Sequence, residues 1–225
     1  GLYLEASGGQ GYHLVFSGQE VNVRRVTNTD YTWGYSVEEG CERLYQEIDN
    51  EESIGNYQLE QTPIIFAEDT LWISGVVDGR VTVIGARFPL DVNNINIWIE
   101  DNLTYHDRQQ DNSLGVIAQN DIYFSRNIPD DFQIDGALIA VNGHIIRHGY
   151  FWWCGGTNNA IKNSLTIYGS LISNLKSYWN YGTSPNSGFR TRTTTYDSRL
   201  YYHPPPYCPT SEEYQLIHWK EGLFN

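Results

Sequence analysis

Neighbouring carboxylates are the first residues in this sequence whose spacing could support catalysis. Asp130 and Asp131 are adjacent, and Asp135 follows four residues later. On a β-rich scaffold, two aspartates about 5 to 9.5 Å apart can serve as acid and base in polysaccharide hydrolysis. However, the run Pro129-Asp130-Asp131-Phe132 is typical of a turn, and no His and Arg accompany it in a matching motif. A polysaccharide-active hydrolase or lyase is therefore the alternative function, and we expect no catalytic residue here.

The other reactive side chains form no known catalytic or metal-binding motif. His144 and His148 would face one another only on a helix, whereas the sequence around them is typical of a strand and a loop. The chain has no Gly-x-Ser-x-Gly, no His-Glu-x-x-His and no phosphate-binding glycine loop. We therefore predict that the protein is not an enzyme and needs neither a metal nor a cofactor. Calcium stays open, because oxygen ligands are plentiful in residues 38–69.

The three cysteines also lack the spacing of a zinc site. Cys154 and Cys208 both lie in aromatic-rich sequence that is typical of loops. We predict that these two residues form a disulfide, which would fit an oxidising compartment outside the cell. Cys41 would then remain as a partly buried small apolar residue.

Aromatic clusters give the strongest indication of binding. Residues 150–153 are four consecutive aromatics, and they cannot all point inward from a strand because side chains alternate between its faces. Exposed Trp and Tyr rings can stack on sugars or anchor a protein partner. The alternative is that these rings seal the end of the folded domain. The predicted ligand-binding residues are Trp152, Trp153, Tyr178, Trp179 and Tyr181.

Short strands separated by turn residues must position these side chains. From residue 63 a pattern recurs: a small or aliphatic residue, one more residue, an Asp or Asn, a turn residue and a second strand. Its Asp or Asn positions are Asp69, Asp101, Asn120 and Asn142. Stacked coils need equivalent aliphatic positions in every rung, and Asp or Asn tolerates a tight corner. The pattern predicts an all-β parallel β-helix, a β-solenoid, and an antiparallel β-sandwich is the alternative.

Three segments are expected along the chain. Residues 1–62 form an N-terminal β-rich acidic cap that begins with a hairpin over residues 11–27. Residues 63–175 form the solenoid rungs. Residues 176–225 comprise a surface loop, a proline-rich arm and a short helix over residues 212–221.

The charge distribution narrows the set of partners. The formal net charge is −13, and most of the excess acid lies in residues 38–69, whereas the C-terminal third is mildly basic. Nucleic-acid binding is not expected, because it needs clustered Lys and Arg. The difference in charge between the acidic N-terminal part and the mildly basic C-terminal third favours head-to-tail association, so further copies of the chain are expected partners. No apolar stretch approaches the roughly 20 residues of a membrane span. The absence of methionine leads us to expect a processed chain from which an N-terminal anchor has been removed.

Six runs resemble a family of bacterial surface proteins that is similar to the PilX-type, pilus-associated proteins. The runs are Gly-Tyr-His-Leu-Val-Phe at 11–16, Ala-Leu-Ile-Ala-Val-Asn-Gly at 137–143, Asn-Ser-Leu-Thr-Ile-Tyr-Gly-Ser-Leu-Ile-Ser-Asn at 163–174, Tyr-Asp-Ser-Arg-Leu at 196–200, Pro-Pro-Pro-Tyr at 204–207 and Trp-Lys-Glu at 219–221. Such proteins combine a prepilin-like membrane helix with a β-rich, solenoid-like ectodomain. The resemblance implies a non-enzymatic structural or adhesive domain, extracellular or at the cell surface, whose partners are pilus or other surface subunits. A glycan-binding module is a further alternative.

Overall fold

The chain folds almost entirely as β-structure. A computed structural model describes residues 1–90, 92–182 and 185–208. Within these ranges fourteen strands join in one curled mixed sheet, and one short 3-10 helix spans Ser198–Tyr201. The strands are β1 (Leu2–Leu4), β2 (Gly11–Gly18), β3 (Glu20–Ser36), β4 (Gly40–Gln58), β5 (Ile64–Ala67), β6 (Leu71–Val77), β7 (Arg80–Gly85), β8 (Ile97–Tyr105), β9 (Ser113–Ala118), β10 (Ile122–Phe124), β11 (Asp131–Ala140), β12 (Ile145–Arg147), β13 (Ile161–Ser173) and β14 (Gly188–Tyr196). The all-β prediction is confirmed.

Parallel ladders make up most of the sheet. The first runs through β5, β7, β9 and the second half of β11. The second runs through β2, β6, β8, β10 and β12. The third joins the full length of β11 to β13, and β13 to β14. Aligned positions in the second ladder are Leu71, Ile97, Ile122 and Ile145, all fully buried. Repeated aliphatic positions therefore stack into a continuous apolar core.

Three of the four Asp or Asn positions in the sequence repeat lie between strands. Asp69, Asn120 and Asn142 all lie in the short connections between two strands, as predicted. Asp101 lies inside β8 instead, where residues 100–102 lie opposite the single residue Ser74 of β6 and the pairing shifts register. The extensive parallel pairing also argues against an antiparallel sandwich.

A long antiparallel hairpin occupies the N-terminal region. β2 and β3 pair with Ser17 opposite Glu20, which confirms the hairpin predicted over residues 11–27. β3 then pairs with β4 from Glu20 opposite Gln58 to Ser36 opposite Gly40. The sequence predicts only strand pieces and loops beyond residue 27, because these polar strands are largely exposed and interrupted by register shifts. The β3–β4 hairpin packs over the outer face of the second ladder. Its buried contacts form a second apolar cluster: Val26, Leu44, Trp72, Trp98, Tyr150 and Ala160.

The C-terminal region differs from the expected loop. β14 pairs in parallel with β13, where the sequence predicts a surface loop. Its run of exposed Arg and Thr residues shows no apolar alternation, although β-branched Thr favours strands. The proline-rich arm forms a turn in which the Cys208 amide donates to the Pro205 carbonyl at 3.2 Å, and the Arg80 guanidinium donates to the Pro204 carbonyl at 2.7 Å. The helix predicted over residues 212–221 lies outside the described residues. Among those described, no helix is long and apolar enough to cross a membrane.

The predicted disulfide between Cys154 and Cys208 is wrong. Cys154 is bonded to Cys41, with their Cα atoms 5.9 Å apart, and Cys208 is a free thiol. The β3–β4 hairpin brings Cys41, near its tip, to the loop that carries Cys154, 113 residues later. Cys208 instead lies in the proline-rich arm, and its sulfur packs beside Gly115 of β9. Burial raises the pKa of the Cys208 thiol, although a hydrogen bond with Thr82 opposes this shift.

Candidate functional site

Three segments meet at the tip of the β3–β4 hairpin and form the candidate site. The hairpin tip is fastened to residues 148–160 by the Cys41–Cys154 bond. It is also fastened by two backbone hydrogen bonds between Tyr35 and Gly149, at 2.8 and 2.9 Å. The third segment, residues 174–182, joins through a bridge between Tyr178 and Ile146 of β12. Covalent and backbone contacts therefore hold all three segments in place.

Six rings at this junction form what we call the aromatic surface. They are Tyr35, Phe151, Trp152, Trp153, Tyr178 and Tyr181. Phe151 and Trp153 stack with their centroids 5.1 Å apart and their planes 5° from parallel. The Tyr35 ring meets Trp153 edge-on at 5.4 Å and Tyr181 at 5.8 Å. Trp152 is 84 % exposed and Trp153 50 % exposed, so both retain ring faces open to a ligand.

The structure brings together four of the five predicted ligand-binding residues. Trp152, Trp153, Tyr178 and Tyr181 all belong to the aromatic surface. Trp179 does not, because its ring packs against the main core and lies 6.0 Å from Phe124. Of the five, Trp179 alone fits the alternative in which the rings seal the apolar interior.

An acidic pocket of about 290 Å³ adjoins the aromatic surface. Tyr178 links the two, because its hydroxyl donates to the carboxylate of Glu38 and accepts from the Val37 amide at 3.1 Å. Seven ionisable side chains line the pocket: Glu38, Glu39, Glu42, Asp121, Tyr123, His144 and His148. The pocket therefore offers many hydrogen-bonding oxygens beside a set of aromatic faces.

Asp121 lines the acidic pocket and accepts three hydrogen bonds. One carboxylate oxygen accepts from the His144 amide at 2.6 Å, and the other accepts from the Tyr123 hydroxyl at 2.8 Å and the Asn120 side-chain amide at 2.6 Å. Burial and the neighbouring Asp121 charge raise the pKa of Tyr123 well above that of an exposed tyrosine. Tyr123 therefore stays protonated and keeps donating to Asp121.

Glu42 and His148 form the second fixed pair in this pocket. Glu42 Oε1 lies 3.4 Å from His148 Nε2 and accepts from Ser36 Oγ at 3.0 Å. The contact with His148 lowers the pKa of Glu42 although burial opposes the shift, so this carboxylate stays ionised. The His148 side chain is buried. The other histidine of the pocket, His144, has its Nδ1 atom 2.9 Å from the Lys176 carbonyl oxygen. The described residues contain no group of three or more His, Cys, Asp or Glu suited to a metal.

The carboxylates first considered for catalysis are all occupied by structural contacts. Asp130 pairs with Lys162 at 3.4 Å. Asp131 accepts from the side chains of Asn163 and Ser164, both at 2.6 Å. Asp135 is buried and binds Arg108 through both of its carboxylate oxygens, at 2.8 and 3.2 Å.

Sequence reasoning misses the acidic half of the site. The acid-rich stretch over residues 38–69 includes Glu38, Glu39 and Glu42, and Asp121 directly follows the repeat position Asn120. The sequence did not reveal the long hairpin that brings these acids to the aromatic loop.

Comparisons with protein-family models, with curated proteins and with solved structures find no match to this chain.

Proposed function

We propose that this chain is a non-enzymatic, extracellular adhesive domain that binds glycans through the aromatic surface and the acidic pocket. One observation carries the proposal: Trp152 and Trp153 are exposed on a disulfide-fastened loop beside a pocket rich in carboxylates. Aromatic faces pack against the C–H faces of sugar rings, and carboxylates accept hydrogen bonds from sugar hydroxyls. A site held rigid before binding also loses less entropy on forming the complex.

We propose a parallel β-helix as the scaffold for this site. The three parallel ladders support it, since successive strands align small or aliphatic residues in register. Ala67, Gly85, Ala118 and Ala140 form one such row, at the end of each strand in the first ladder. The aromatic loop directly follows β12, at the end of the second ladder.

The proposed location and ligand class follow from the disulfide and the charge. Structural disulfides persist mainly in oxidising compartments, which supports a secreted or surface-displayed protein. The link to pili rests on the sequence resemblance. Because the site is acidic and the chain carries a net charge of −13, neutral glycans are favoured over uronic-acid polymers.

Substituting Trp153→Ala is expected to weaken glycan binding at least tenfold. The ring supplies an exposed stacking face, and a tenfold loss corresponds to about 1.4 kcal/mol, within the range of aromatic contacts at binding sites. A glycan array would first identify the best neutral glycan, and calorimetry would then give its Kd for each variant. Tyr202→Ala is the matched control, since this ring is 76 % exposed and lies in the C-terminal arm.

Two outcomes would contradict the proposal. The first is an array on which the wild-type protein retains no glycan. The second is a Trp152→Ala, Trp153→Ala double variant that unfolds like the wild type and binds with unchanged affinity. Release of reducing sugar from a bound polysaccharide would instead favour the hydrolase or lyase alternative.

A further inference from the structure

A second pocket lies under the middle of the β3–β4 hairpin, between β4 and the outer face of the second ladder. It encloses about 320 Å³ and shares no lining residue with the acidic pocket. We call it the His13 pocket. The lining residues that matter here are His13, Glu47, Asp49, Glu51, Glu100 and Ser125.

His13 is clamped between two carboxylates from different elements. Its Nδ1 lies 2.7 Å from Glu51 of β4, and its Nε2 lies 2.5 Å from Glu100 of β8. Arg24 of β3 also pairs with Glu51. Burial disfavours the charged ring, but Glu100 and Glu51 outweigh burial and raise the pKa of His13 above that of an exposed histidine.

The His13 pocket carries an excess of negative charge. Four carboxylates line it, whereas the cations paired with them in the described residues are Arg24 and, when protonated, His13. Glu47 accepts from the Asn127 side chain at 2.9 Å. Asp49 accepts from the side chains of Asn28 and Asn50, both at 2.7 Å. These contacts are with neutral amides, so two negative charges are left without a counterion.

Ser125 provides an independent indication of a ligand. This residue is only 4 % exposed, and its hydroxyl oxygen is buried yet makes no hydrogen bond to any described residue. Buried polar groups nearly always have a partner, and leaving one unpaired costs about 1 to 3 kcal/mol. Since Ser125 lines the His13 pocket, a donor placed there could pair with it.

We propose that the His13 pocket binds the primary ammonium group of a small amine or of a lysine side chain. An ammonium group carries one positive charge and three donors, which match carboxylates on two sides and the free oxygen of Ser125. The volume is enough for a ligand group of that size. This site is separate from the proposed glycan site and does not depend on it.

Protonated His13 competes with the ligand for the same carboxylates. The charged groups that face it are Glu51 and Arg24 of the hairpin and Glu100 of β8. As the pH rises through the pKa of His13, the ring becomes neutral and releases its hold on Glu100. A lysine ammonium stays charged over this range, because its pKa is about 10.4. Affinity for lysine is therefore expected to increase between pH 5.5 and 8.5.

The test uses Nα-acetyl-lysine amide as the probe and NMR or calorimetric titration of the full chain. We expect this probe to bind and its Nε-acetylated form, which has lost the charge, to bind at least tenfold more weakly. Nα-acetyl-arginine amide tests whether the positive charge alone is sufficient. Glu47→Gln is expected to weaken lysine binding about tenfold, and Ser125→Ala several-fold. Glu20→Gln, at the far end of the hairpin, is the control and should change nothing.

Several results would overturn this proposal. They are equal binding of the acetylated probe, equal or tighter binding of the arginine probe, unchanged affinity in both Glu47→Gln and Ser125→Ala, or weaker lysine binding at pH 8.5 than at pH 5.5. Calcium binding that is lost in Glu47→Gln, without lysine binding, would replace the ammonium site with a metal site. Trp153→Ala should leave lysine binding intact, so failure of the glycan proposal and failure of this one remain distinguishable.

Discussion

Replacing Cys41 and Cys154 together with serine is expected to lower the free energy of unfolding by about 4 to 5 kcal/mol. The bond joins residues separated by 113 positions, and chain-entropy models assign about 4.7 kcal/mol to a closed loop of 100 residues. The same bond fastens the hairpin tip to the aromatic surface, so its loss also frees the candidate site. Urea denaturation followed by tryptophan fluorescence would measure the change as a lower midpoint.

Cys208→Ser is the matched control for this experiment. Its thiol is free, so the substitution is expected to cost less than 1 kcal/mol. A reducing agent should bring the wild type to the midpoint of the double serine variant and leave that variant unchanged. A double variant as stable as the wild type would contradict the pairing, and so would a larger loss from Cys208→Ser.

Substituting Arg147→Ala is expected to destabilise the protein by about 3 to 5 kcal/mol, the range seen when a large buried side chain is truncated to alanine. Arg147 is fully buried, and its guanidinium donates to the carbonyl oxygens of Arg126, Asn159 and Ala160 at 3.1, 2.6 and 3.0 Å. It also lies over the Tyr150 ring, 5.0 Å from its centroid. Alanine would remove the donor to the Arg126 and Asn159 carbonyls, whereas the Ala160 carbonyl keeps the Gly188 amide and the Ser187 hydroxyl. It would also open a cavity beside the ring.

Arg190→Ala provides the comparison for the loss of an arginine as such, because Arg190 is exposed on β14. It is expected to change the free energy of unfolding by less than about 0.5 kcal/mol. Arg147→Lys should lie between the two, since an ammonium group cannot reproduce the planar fork of donors. If Arg147→Ala unfolds at the same urea concentration as Arg190→Ala, the buried guanidinium does not stabilise the fold.

The residues that align on neighbouring strands of the parallel ladders were predictable, because they occupy equivalent positions in the sequence repeat. Ala67, Ala118 and Ala140 stand at equivalent places in the recurring pattern, and they are indeed aligned in the sheet. Asp101 was misplaced, because the connection between β7 and β8 spans residues 86–96 and Asp101 lies at a register shift within β8. β14 was not predicted from the sequence for a different reason. A strand with polar residues on both faces has no apolar alternation to reveal it, and only its partner β13 makes it a strand.

Part of the candidate site could likewise be predicted from local sequence, and part of it could not. Consecutive aromatics cannot all be buried in a strand, and this local rule was enough to find Trp152 and Trp153. Tyr35 and Glu42 reach the site only through a hairpin whose two strands are long, polar and irregular in register. The bond from Cys41 to Cys154 depends on that same hairpin. Contacts between residues more than a hundred positions apart therefore could not be read from local patterns.

The Cys41–Cys154 bond also divides the molecule mechanically. A pulling force applied to residues outside the bond passes through the two sulfur atoms, so residues 42–153 bear no tension. That stretch represents about 380 Å of extended chain that cannot be drawn out while the bond is intact. Trp152 and Trp153 lie inside the shielded stretch, whereas β13 and β14 lie outside it. A load sufficient to peel away those two strands would therefore leave the tryptophan-bearing loop attached to the hairpin tip.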